Sequence, residues 1–130
     1  MSLSIQIVTP SKIAFESKQV DKIFGPGFFG EFGLLQNHAR FVTLNKPGVI
    51  TVHIGADKTQ LLVGKGFAEA SENHASYLVE LCENVDSIDK ESAKKDLEAA
   101  NAAIEGLSPL DSGYDNIMDQ INLANARLEA

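Results

Sequence analysis

The hydrophobic positions of this chain follow two different periods. From Leu3 to about Val85 they alternate singly. Leu3, Ile5 and Ile7 are separated by Ser4 and Gln6, and Ile50, Val52 and Ile54 by Thr51 and His53. Ala75, Tyr77, Val79 and Leu81 are expected on one face, with Ser76, Leu78, Glu80 and Cys82 on the other. Period-two alternation places successive side chains on opposite faces of a sheet. Turn residues recur at short intervals, as in Thr9-Pro10-Ser11, Lys46-Pro47-Gly48, Gly55-Ala56-Asp57, Gly64-Lys65-Gly66 and Glu72-Asn73. Short strands between frequent turns predict an all-β sandwich or barrel, and no long helical pattern supplies the crossovers of a parallel sheet.

After Asp86-Ser87-Ile88-Asp89 the period becomes helical. Ala93, Leu97, Ala100 and Ile104 recur on one stripe, and Asp89 is placed to cap the start. Gly106, Ser108, Pro109 and Gly113 interrupt. Asp111 or Ser112 is the expected cap of a second helix, whose inner stripe is Tyr114, Ile117 or Met118, Ile121, Ala124 and Leu128. Two helices joined by a short loop pack antiparallel. The predicted organisation is a β-sandwich domain over residues 1–87 and a C-terminal helical hairpin over 88–130.

Alanines at 93, 99, 100, 103, 124 and 126 are available to the inner face of the hairpin. At about 25 cal/mol per Å² each buries little, and helices this short are marginal alone in water. The pair must rest on something and can leave it at modest cost. It reads either as a docked appendage or as a switching element.

Composition narrows the function classes. A formal net charge of −7 argues against a basic face for nucleic acid or anionic lipid. No apolar run approaches the roughly 20 residues of a membrane span, so no direct membrane insertion is expected. The N-terminus shows no signal-peptide core, which points to a cytoplasmic protein. One cysteine, Cys82, leaves no internal disulfide and reads as a small strand hydrophobe. Catalytic groups do not assemble: His38, His53 and His74 lack metal-ligand spacing, and Gly64-Lys65-Gly66 leads into a strand where a phosphate loop leads into a helix. The chain is predicted not to be an enzyme and to need no cofactor.

The densest turn chemistry runs through Gly25-Pro26-Gly27, Gly30-Glu31-Phe32-Gly33-Leu34-Leu35 and Asn37-His38-Ala39. On its own it is hairpin punctuation, with Glu31 a solvated turn residue and His38 a strand-end hydrogen bonder. Together with Ile7-Val8-Thr9-Pro10, Val20-Asp21-Lys22-Ile23, Leu44-Asn45-Lys46-Pro47-Gly48-Val49-Ile50 and Gly64-Lys65-Gly66-Phe67-Ala68-Glu69, in that order, it resembles the epsilon subunit of F-type ATP synthase, the equivalent of mitochondrial delta.

The resemblance implies a central-stalk rotor component that links the gamma subunit to the c-ring of the membrane sector, couples proton flow to ATP synthesis and regulates ATP hydrolysis. Gly30, Glu31, Phe32, Gly33, His38 and Arg40 become the implied c-ring and gamma edge. The helices are implied to lie on the sandwich or reach the alpha/beta catalytic head. The implied location is peripheral, at the cytoplasmic face of a bacterial inner membrane. Gln36-Asn37-His38 also resembles chloroplast versions, which leaves an organelle inner or thylakoid membrane as the alternative. A free-standing sandwich adaptor is the competing function, since fold alone does not fix function.

Three departures from the family pattern matter. Pro-Gly-His-Ala-Pro is replaced by Gln36-Asn37-His38-Ala39-Arg40, which frees that turn. The Ile/Leu-Asp-x-x-Arg-Ala motif of nucleotide-binding members reads Ile88-Asp89-Lys90-Glu91-Ser92-Ala93. Ser92 cannot replace an arginine fork on phosphate, so weak or no ATP binding is expected. Residues 111–130 carry four acids against Arg127 alone, a net −3, which opposes an electrostatic clamp on an acidic head.

Overall fold

The computed structural model describes residues 3–26, 32–35 and 40–130. Ten strands form two five-stranded sheets: β1 (Leu3–Thr9), β2 (Lys12–Val20), β3 (Lys22–Gly25), β4 (Phe32–Leu35), β5 (Phe41–Asn45), β6 (Gly48–Ile54), β7 (Asp57–Val63), β8 (Gly66–Ser71), β9 (His74–Val79) and β10 (Cys82–Asn84). A 3₁₀ turn at Val85–Ser87 leads to α1 (Lys90–Ile104) and α2 (Tyr114–Glu129). One sheet runs β2-β1-β9-β8-β5 and the other β10-β7-β6-β3-β4. Among the described residues, β1 and β9 pair parallel and the other neighbouring strands pair antiparallel. The all-β sandwich followed by an antiparallel hairpin is the architecture that the two periods predict.

Alternation decides what lies between the sheets. Leu3, Ile5 and Ile7 of β1, Ile50 and Val52 of β6, and Ala75, Tyr77 and Val79 of β9 are buried in one continuous core. Each fully buried aliphatic side chain contributes about 1.5–3 kcal/mol. Tight turns take the residues their angles require. Gly55 begins the two-residue β6–β7 loop at φ +58°, and Asn73 ends the β8–β9 loop at φ +62°, which asparagine tolerates.

The alternation expected beyond Val79 does not continue. The chain leaves one sheet after Val79 and enters the other at Cys82, so Leu81 falls in the crossing and Cys82 packs against the core. Leu61, Leu62 and Val63 are also all buried. Leu61 and Val63 face the core, while Leu62 points to the other side and stays fully buried. That is the side on which the hairpin lies. Val49, opposite Leu62, lines a crevice with Ala126 and Glu129 of α2.

In the hairpin, Asp89 caps α1 by accepting a hydrogen bond from the Ser92 amide at 3.1 Å. The second cap differs from expectation. Gly113, at φ +89°, occupies it, while the Asp111 carboxylate accepts from the Ser108 amide within the loop. Ala93, Ala100, Ala124 and Ala126 are buried, whereas Ala99 and Ala103 remain exposed. Lys90 donates to the Leu128 carbonyl at 2.9 Å and to that of Ala130, tying the start of α1 to the end of α2. A lysine at a helix C-terminus satisfies free carbonyls and complements the dipole.

Candidate docking surfaces

The outward face of the β2-β1-β9-β8-β5 sheet carries an apolar row. Ile13 is paired with Val8, Val8 with Leu78, Leu78 with Phe67, and Phe67 with Leu44. Directly paired residues share a face, so five strands each place one apolar side chain on a continuous band. Ile13, Leu44, Phe67 and Leu78 are each about half exposed, and Val42 beside the band is 67% exposed. A contiguous apolar band of this kind marks an interaction site. The next row is polar: Glu69 is paired with Ser76, Ser76 with Gln6, and Gln6 with Glu16, whose carboxylate accepts from the Gln6 amide at 3.0 Å. Beyond it His74 bridges Ser4 (2.6 Å) and Ser76 (3.0 Å).

The glycine-rich edge is described in part. Gly30, Glu31 and His38 lie outside the described residues. Phe32 is in β4 opposite Gly25, and Gly33 is opposite Phe24. A Cβ on Gly33 would come within 2.9 Å of the Phe24 ring, so the ring lies over the bare backbone. That ring meets His53 edge-on with centroids 5.7 Å apart, and the Lys22 ammonium sits 5.7 Å from its centre. Arg40 is exposed just ahead of β5.

A third feature is a cleft of about 380 Å³ between the sandwich and the hairpin. It brings together Ile88, Asp89 and Ala93, with Glu83, Asp96 and Arg127. The Arg127 guanidinium donates to both Glu83 carboxylate oxygens, at 2.6 and 3.4 Å. Arg127 is the one cation among the lining residues, against three carboxylates. The lining is net negative, and its guanidinium is already engaged.

Two ionisable groups are perturbed by burial. The Tyr77 phenol is pushed well above its ordinary value by desolvation. The Cys82 thiol is also raised, by desolvation first and by neighbouring Glu83 second. Both shifts disfavour the reactive anion. Among the described residues, no three His, Cys, Asp or Glu side chains are grouped to hold a metal, and no helix is long and apolar enough to cross a membrane.

Sequence reasoning missed the apolar band and Leu62. Leu62 had a signal, the unbroken Leu61-Leu62-Val63 run, which marks a strand covered on both faces. The band had none in one dimension, because it exists only once five strands are in register.

A sandwich with one exposed apolar sheet face and a hairpin packed on the opposite sheet defines a docking subunit. The sequence model of the family described as "ATP synthase, Delta/Epsilon chain, beta-sandwich domain" matches residues 2–85. An ATP synthase epsilon chain of Geobacter metallireducens is 41% identical over 112 residues, covering 86% of this chain and 80% of the relative. One of Anaeromyxobacter dehalogenans is 34% identical over 128 residues, covering 98% and 96%. The chain belongs to the ATP synthase epsilon (delta/epsilon) family and is a non-catalytic subunit. A chain in the Euglena gracilis mitochondrial ATP synthase OSCP/F1/c-ring structure shares the fold, with TM-score 0.83 at 21% identity over 96% of this chain and 78% of that one.

Proposed function

We propose that the chain is a central-stalk rotor subunit whose β2-β1-β9-β8-β5 face docks on the gamma subunit, while its glycine-rich edge meets the c-ring. The apolar band carries this reading. Fully burying a phenylalanine or leucine contributes about 1.5–3 kcal/mol, so the four half-exposed side chains of the band together with Val42 leave about 5 kcal/mol of gross burial for a partner. Association costs consume much of that, and the polar row with Glu69 and Glu16 supplies register and favours a partner with basic groups. A torque-bearing joint needs both a dry grip and a fixed register.

The subunit is peripheral, at the cytoplasmic face of a bacterial inner membrane; its bacterial relatives support that placement. Its hairpin reaches toward the alpha/beta head only by leaving the sheet, and the acidic second helix offers no electrostatic grip there. It takes no nucleotide in the cleft, because Ser92 stands at the arginine position and Arg127 is engaged by Glu83.

Affinity purification of the tagged chain from detergent-solubilised membranes tests the reading. Gamma and the c-ring should copurify in stoichiometric amounts. A chain that comes down alone, or with unrelated soluble proteins, would be an adaptor. Calorimetry should give no heat of binding at micromolar ATP; a clear isotherm would overturn the nucleotide claim.

A further inference from the structure

The contact between hairpin and sandwich is marked by ion pairs at two places. Lys65 pairs with Asp119, and Arg127 with Glu83. Asp119 and Arg127 are eight residues apart on α2, about 12 Å along the axis. One attachment leaves a pivot; two at this separation fix both position and tilt.

The turn that presents Lys65 is built to hold it still. A Cβ on Gly64 would lie 2.4 Å from Glu80, and one on Gly66 would lie 1.9 Å from the Leu78 carbonyl oxygen. Gly66 is closed to a side chain by backbone, and at Gly64 a side chain would have to displace Glu80. Its backbone is anchored on three sides: Asn45 Nδ2 donates to the Gly64 carbonyl (3.0 Å), the Gly64 amide to Leu81 (3.1 Å), and the Glu80 amide to the Lys65 carbonyl (3.1 Å). On α2, Asp115 adds to the negative field that Lys65 meets. The hairpin is separately tied within itself by Lys90 at the α2 carbonyls.

We propose that Lys65 and Arg127 form a two-point electrostatic latch that sets the resting position of the hairpin, so that ionic strength releases it as a unit and no nucleotide is needed to hold it down. The partly exposed Lys65 pair opens first on screening, because the Arg127–Glu83 pair is bidentate and less exposed. The rigid hairpin then turns about Arg127 before it detaches.

Amide hydrogen exchange on the isolated full-length chain tests the latch. This leaves the docking reading untouched, since no partner is present. Raising sodium chloride from about 0.01 M to about 1 M shortens the Debye length from about 30 Å to about 3 Å. Exchange along α2 should rise about three- to tenfold, the scale of losing exposed ion pairs, while β7, β8 and β9 stay protected. Lys65→Glu should reproduce the rise at low salt, and Lys65→Glu with Asp119→Lys should reverse it. Millimolar ATP should change nothing. The latch is overturned if wild-type exchange at these amides ignores salt, if the charge swap fails to restore a folded Lys65→Glu variant, or if ATP protects α2. Should Lys65→Glu not fold, the wild-type salt series decides alone.

Discussion

Tyr77→Phe should stabilise this protein, the reverse of the usual result for a buried tyrosine. Tyr77 is fully buried, and its hydroxyl has no hydrogen-bond partner among the described residues. The oxygen lies 2.8 Å from where a Gly25 Cβ would stand, so glycine is what leaves it room. An unsatisfied buried hydroxyl costs about 1–3 kcal/mol, and the void left by one oxygen returns part of that. The net gain should be about 1 kcal/mol, or a rise of about 4 °C in Tm for a domain of this size. Urea unfolding should show a higher midpoint at unchanged slope. The pH dependence gives a second signature. Burial raises the folded-state pKa of Tyr77, while the unfolded chain ionises near 10. This contribution to stability is complete below the unfolded pKa. It is lost as pH rises beyond it, because only the unfolded state gives up the proton. At pH 11 the advantage of Tyr77→Phe over wild type should therefore grow by about 1.4 kcal/mol, with lysine titration cancelling between the two proteins. A variant destabilised by about 1 kcal/mol or more, or a difference flat to pH 11, would refute the reasoning.

Gly66→Ala places a methyl on the Leu78 carbonyl and should cost about 3 kcal/mol or more by denaturant unfolding, whereas Gly55→Ala, with open space but φ +58°, should cost about 1 kcal/mol. Asp89→Ala removes the α1 cap and should lower stability by about 1 kcal/mol, read as faster exchange of the first-turn amides with the sandwich unaffected. Phe67→Ala, at a residue 52% exposed, should leave thermal stability near wild type yet weaken binding to gamma about five- to tenfold by titration, since about 1 kcal/mol of burial is lost.

What the sequence disclosed, and what it hid, follows from the range of each interaction. Strand alternation in β1, β6 and β9 and the helical stripe of Ala93, Leu97, Ala100 and Ile104 are local, so the fold class and the Asp89 cap were legible. The Gly113 cap was not: Asp111 looks like a cap until its carboxylate turns to the Ser108 amide. The ion pairs of Lys65 with Asp119 and Glu83 with Arg127 span 54 and 44 residues and have no local signature. The departure at Ser92 was visible as a letter. Its setting, a cleft lined by three carboxylates, was not.

The most direct test of the account is a photoreactive residue placed at Phe67 in the assembled, membrane-bound complex, with adducts identified by mass spectrometry. Docking through the β2-β1-β9-β8-β5 face predicts a dominant adduct with gamma. A Phe67 probe that captures nothing, while one at exposed Glu98 on α1 captures gamma, would place the joint on the opposite side of the molecule and contradict it.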